Sequence, residues 1–147
     1  MKVLYKKVRD TAKEPVRGSK FAAGYDLSAC VDDGSTAIYI PPNTCVKVPT
    51  GLAFVPPDGY VGLVFARSGL ATKSGLRPAN CVGVVDEDYR GEVMVALYND
   101  SDATRVVHDG ERVAQIVFTE YLNADMVEVD ELSETERGEG GFGSTGK

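Results

Sequence analysis

Three consecutive acids, Asp86-Glu87-Asp88, lie between an apolar run that starts at Cys81 and a second that starts at Val93, with Tyr89-Arg90-Gly91 between them and the second run. A carboxylate held at such a bend and partly desolvated, beside a strand buried on both faces, can take a proton from water as a general base. The same segment also fits a hairpin with a solvated acidic turn, the commoner fate of such a run. Upstream, Arg67-Ser68-Gly69 stand where a strand hands over to a short helix. Backbone amides, a hydroxyl and a guanidinium at a helix start suit phosphate oxygens, although a capping Ser68 beside a surface Arg fits equally well. Gln115 interrupts an apolar strand, where a buried amide needs partners from neighbouring strands or from a ligand. Asp26 follows Gly24-Tyr25 at the start of a strand, and alone it passes for an edge acid.

The last segment, Arg137-Gly-Glu-Gly-Gly-Phe-Gly-Ser-Thr-Gly-Lys147, combines one Arg, one aromatic ring and two hydroxyls among glycines. Residues 141–147 have the G-x-x-x-x-G-K spacing of a phosphate loop, but without the Ser or Thr and the helix that such a loop leads into. Glycines let amides approach phosphates closely, Phe142 offers a stacking face, and Arg137 offers a charged fork. A solvent tail is the plain alternative.

The elements that must position these groups read as strands. Residues 2–8, 37–40, 44–48, 51–55, 60–66, 81–85, 92–98, 112–120 and 126–130 are rich in Val, Ile, Tyr and Phe. Pro41-Pro42, Pro56-Pro57-Asp58-Gly59, Asn99-Asp100 and Asp109-Gly110 punctuate them. That rhythm predicts an all-β, jelly-roll-like sandwich or barrel. One short helix is expected over 68–75, capped by Ser68 and ended by Gly75. Residues 1–133 are expected to form the β domain, and the glycine-rich C-terminal tail, 134–147, to be flexible.

Composition narrows the classes. A 147-residue chain that is 43% hydrophobic can build one ordinary core. Its 16 basic and 22 acidic residues give a net charge of −6, which disfavours a non-specific grip on nucleic acid or an anionic membrane. Cys30, Cys45 and Cys81 are widely spaced and form no C-x-x-C pair, so they read as reduced, partly buried thiols. His108, beside a turn dipeptide, reads as a solvated loop residue. With no apolar leader or span, a cytoplasmic location is expected, with organelle or nucleus left open.

The segments A-G-Y-D-L, R-S-G-L-A, G-V-V-D-E-D-Y-R-G-E-V, R-V-A-Q-I-V and R-G-E-G-G-F-G-S-T-G, in this order across residues 23–146, closely resemble the trimeric dUTPase family. Ala66 stands where many relatives carry Pro or Gly. The resemblance implies a homotrimer with three shared sites, each closed by a C-terminal tail. It implies hydrolysis of dUTP to dUMP and pyrophosphate with Mg2+, which limits uracil incorporation into DNA and supplies dUMP for dTMP synthesis. On matching positions it implies Asp86 as the base that activates water. Asn80, Gly83, Tyr89, Phe142 and Gly143 would hold uracil and deoxyribose. Arg67, Ser68, Gly69, Gln115, Arg137, Ser144 and Thr145 would hold phosphates, and Asp26 would reach Mg2+ through water. A dCTP deaminase on the same fold would need a glutamate in residues 94–98, which read Met-Val-Ala-Leu-Tyr. A non-catalytic, ligand-gated binding protein would not need the base at Asp86.

Overall fold

Short runs of β-branched and aromatic residues between turn signals fold into strands, and the computed structural model has twelve of them with one helix among its described residues, 1–32 and 34–141. The strands run β1 Leu4–Lys7, β2 Val16–Arg17, β3 Tyr25–Ser28, β4 Ala37–Ile40, β5 Cys45–Pro49 and β6 Leu52–Val55. After β7 Tyr60–Ala66 comes the helix α1 Ser68–Ser74, then β8 Leu76–Pro78 and β9 Val82–Val85. Next come β10 Met94–Asn99, β11 Arg105–His108 and β12 Arg112–Glu120. They form open antiparallel sheets in a jelly-roll-like arrangement: β2-β3-β12-β7-β9, β5-β10-β8, β1-β6 and β11-β4.

Apolar side chains that alternate along these strands meet in one core, with Leu27, Ile40, Leu52, Leu97 and Ile116 fully buried. Each such side chain contributes about 1.5–3 kcal/mol by leaving water. The buried polar group Asn99 is satisfied on both ends: its amide donates to the carbonyls of Ile40 and Ala103, and its oxygen accepts from Ser101. Such satisfaction spares the core an unpaired amide.

Several expectations change. Residues 126–130 are not a strand: they are exposed and unpaired, because a strand needs a neighbour and the chain offers them none. Ser68 is not the helix cap. Arg67 occupies that position with extended backbone, and Ser68 begins the helix; Gly75 ends it in the left-handed region as expected. His108 closes β11 rather than lying in a loop, although it is exposed. Of the three free cysteines, Cys30 is buried and Cys45 and Cys81 are exposed. Strand β9 is buried only at Val85, not on both faces; Val84 is 61% exposed. No helix among the described residues is long and apolar enough to cross a membrane.

Candidate active site

Neighbouring strands β3, β12 and β7 bring Asp26, Gln115 and Arg67 together. Gln115 lies directly opposite Asp26 on one side and Phe65 on the other, so these side chains share a face of the sheet. Arg67, two residues beyond Phe65, shares that face, and its Nε donates to Asp26 Oδ1 at 2.9 Å. Arg112 Nη1 donates to the other carboxylate oxygen at 3.0 Å. Strict alternation would put Arg112 and Gln115 on opposite faces. A bulge between Arg112 and Ala114 sets them opposite Ser28 and Asp26, two residues apart on β3, so both face the same way.

Close backbone approach completes this cradle. Gln115 Nε2 donates to the Ala66 carbonyl at 3.0 Å. Its Oε1 would lie 2.8 Å from a Cβ on Gly24, so that position has room only for glycine unless Gln115 moves. Ser68 and Gly69 sit exposed on the first turn of α1, where backbone amides lack intrahelical acceptors. Two guanidiniums around one carboxylate leave a net positive site, suited to phosphate oxygens.

The residues expected to read the base gather elsewhere. β9 is the edge of its sheet and does not pair with β10, which belongs to another sheet. The gap between them is a cleft of about 300 Å³ lined by Asn80, Gly83, Val85, Tyr89 and Met94. An edge strand leaves a row of amides and carbonyls unpaired, and here that row borders the cleft. The Tyr89 ring packs over Gly91, where a Cβ would come within 2.5 Å of its hydroxyl oxygen, and the hydroxyl donates to the Glu92 carbonyl at 3.0 Å.

Asp86, at the end of β9, does not line that cleft. It is exposed and borders a second opening beside Val61, Leu63 and Tyr121. Of the three acids, Asp86 and Asp88 are exposed and Glu87 is partly buried. Glu87 is spent on structure: its Oε2 accepts from the Gly59 amide at 2.7 Å and from the Tyr121 hydroxyl at 3.1 Å, a bond that raises the Tyr121 pKa. Arg90 Nη1 donates to the carbonyls of Glu87 and Tyr89 and closes the bend. Asp86 contributes its backbone carbonyl to the turn, as acceptor for the Tyr89 amide at 3.1 Å.

Asp86 and Arg67 stand at opposite ends of the β7–β9 pair. Val85 faces Gly62, and Arg67 follows five residues later, roughly 16 Å at about 3.3 Å per residue. Arg137 lies in the exposed tail, with its Nε on the Gly140 carbonyl at 2.8 Å. Phe142, Gly143, Ser144 and Thr145 lie outside the described residues. Three contributors escaped the sequence reading: Arg112 beside Asp26, Glu87 as the anchor of the bend, and Arg9, which pairs with Glu92. The Arg112 pairing depends on a bulge and the Arg9 pairing spans 83 residues, so neither leaves a local signal.

Among the described residues no three His, Cys, Asp or Glu side chains gather as a metal site. Asp26 is a single carboxylate, and each of its oxygens accepts one arginine bond, leaving lone pairs free. One carboxylate with spare acceptor capacity fits magnesium that keeps its waters and takes its other ligands from phosphate.

Comparison with known proteins places the whole chain in a family. The sequence pattern of the dUTPase family matches residues 10–146. A deoxyuridine 5′-triphosphate nucleotidohydrolase of Desulfitobacterium hafniense is 48% identical over 147 residues, covering 99% of this chain and 95% of the relative. The Arabidopsis thaliana protein of the same name is 45% identical over 141 residues, 96% of this chain and 81% of its own length. The solved Staphylococcus bacteriophage 80alpha dUTPase with dUPNHPP is 27% identical and superposes with a TM-score of 0.83 over 99% of both chains. With a family match over residues 10–146 and a 48% identical relative covered over 95% of its length, the chain belongs to the dUTPase family.

Proposed function

We propose that the protein hydrolyses dUTP to dUMP and pyrophosphate, lowering the dUTP available to DNA synthesis and supplying dUMP. The observation that carries this reading is 48% identity, over nearly the whole chain, to a protein named for that reaction. Uracil enters the cleft between β9 and β10, where the Asn80 amide and the edge of β9 near Gly83 meet its ring. Uracil and cytosine carry opposite donor and acceptor groups, so a fixed backbone edge rejects cytosine, by roughly 10⁴-fold where polar groups would be left unpaired. Tyr89 lies under the sugar and excludes a ribose 2′-hydroxyl. Asp86 takes a proton from water as its oxygen bonds to the α-phosphorus; the bond to the bridging oxygen breaks, and pyrophosphate leaves with that electron pair.

Arg67, Gln115 and the amides at Ser68 and Gly69 hold the phosphates, with Arg137, Ser144 and Thr145 joining from the tail. Asp26 would hold Mg2+ through its bound waters, and the ion would supply charge neutralisation on the phosphates. Residues 134–147 act as a lid over a domain of 1–133, with Phe142 and Gly143 against the base. Closure excludes bulk water and strengthens every charge contact.

The geometry of one chain supports a shared site, which the family resemblance gives as that of a homotrimer. Arg67 lies roughly 16 Å along the sheet from the end of β9, far from a phosphorus attacked beside its own Asp86, so in this reading cradle and base come from different copies. Apolar residues left bare support this, notably Val84 at 61%, Met126 at 94% and Val127 at 79% exposure. The free thiols suit a reducing cytoplasm. The test is pyrophosphate release from dUTP, dCTP, dTTP and UTP, with and without magnesium, alongside the sedimentation mass. Turnover of dUTP alone by a particle of three chains is the expected result; turnover of dCTP or UTP at a similar rate overturns the substrate assignment.

A further inference from the structure

Arg9, in the bend after β1, makes a two-pronged contact with Glu92: Nε to Oε1 at 2.7 Å and Nη2 to Oε2 at 2.9 Å. Its Nη1 also pairs with Asp32. Such forks fix geometry as well as charge. Glu92 Oε1 accepts in addition from the Gly51 amide at 2.7 Å. The next residue is pinned too: the Val93 amide donates to Leu52, and its carbonyl accepts from the buried Thr50 hydroxyl at 2.6 Å. The peptide between Glu92 and Val93 is therefore clamped from both sides. Its carbonyl, on Glu92, accepts the Tyr89 hydroxyl. The Tyr89 hydroxyl is thus linked, through the Glu92 carbonyl, to a salt bridge with Arg9, which lines no part of the cleft.

We propose that Arg9 is a positioning residue for sugar selection: through Glu92 it holds Tyr89 where a ribose 2′-hydroxyl would collide with the ring. The inference rests on the reading of the cleft as a deoxyuridine nucleotide site. Breaking the fork frees the Glu92 carbonyl to shift and lets Tyr89 swing, so ribose gains room. Deoxyribose, which already fits, loses little. The bridge is partly buried, with Arg9 and Glu92 side chains 26% and 17% exposed, so water does not simply replace it. Lysine keeps the charge but cannot form the fork.

The test is the ratio of kcat/KM for dUTP to that for UTP in wild type, Arg9→Ala, Arg9→Lys and Tyr89→Phe, with thermal unfolding recorded for each. The ratio is expected to fall about 10- to 100-fold in Arg9→Ala and Tyr89→Phe, a change of ~1.4–2.8 kcal/mol. Arg9→Lys recovers only part of it, and dUTP kcat in Arg9→Ala stays within a few-fold of wild type. The double variant Arg9→Ala/Tyr89→Phe should be no less selective than the worse single, because both cut one linkage. An unchanged ratio in a folded Arg9→Ala makes the bridge a brace and overturns the proposal. If Arg9→Ala does not fold, full selectivity in Tyr89→Phe overturns it. A wild type that ignores dUTP sinks the functional reading instead, a result distinct from either.

Discussion

Arg67 Nε lies 2.9 Å from Asp26 Oδ1, joining the end of β7 to β3 across the intervening strand β12. The pair preassembles the proposed phosphate cradle, since the guanidinium is held in place by a partly buried carboxylate that keeps a second arginine, Arg112. An incoming phosphate would meet an arginine already oriented, which lowers the ordering cost of binding.

Arg67→Ala should therefore cost binding and turnover far more than stability. Loss of a charge-assisted contact to phosphate corresponds to ~2–3 kcal/mol, or about 100-fold in kcat/KM for dUTP. Asp26 stays paired with Arg112, and a partly exposed pair contributes about 1 kcal/mol or less to folding. Steady-state kinetics beside thermal unfolding separates the two effects.

Asp86→Asn should leave nucleotide affinity nearly intact and lower kcat by about 10³-fold, the middle of the usual range for a general base. Calorimetric binding of a non-hydrolysable dUTP analogue supplies the affinity. Wild-type turnover in this variant would mean that water is activated by another group.

Gly24→Ala places a methyl 2.8 Å from Gln115 Oε1. The amide side chain can rotate away, so the fold survives, but its bond to the Ala66 carbonyl is lost and the cradle loosens. A KM rise of about fivefold at nearly constant kcat is expected, consistent with ~1 kcal/mol for one hydrogen bond. A drop in kcat alone would point to a role for Gln115 beyond holding phosphate.

Deleting the chain after Glu136 should leave folding and assembly unchanged, because residues 134–141 are peripheral and contribute no strand. Activity should fall at least ~100-fold for want of closure. Sedimentation of the truncated protein checks the premise, since dissociation to single chains would make the tail part of the interface.

Local chemistry in the sequence determined a good deal by itself. Strands β4 and β7 appear at the predicted bounds, because continuous runs rich in β-branched and aromatic residues between Pro and Asp-Gly signals leave few other conformations. Gly75 ended the helix, as the one residue type that enters the left-handed region without penalty. The five family segments were legible for the same reason, being short and contiguous.

Tertiary structure alone decided how those segments combine. Arg112 and Gln115, three apart in a strand, share a face only because of a bulge that no pattern of residue types reveals. The three acids looked equivalent until Gly59 and Tyr121 claimed Glu87 and left Asp86 and Asp88 exposed. Residues 126–130 have the composition of a strand yet lie unpaired, since pairing is a property of neighbours rather than of a segment. The gap between β9 and β10 exists because each strand was captured by a different sheet, and that choice is made by contacts far apart along the chain. Sequence reports the preferences of a few adjacent residues, whereas the folded chain sets which distant groups meet.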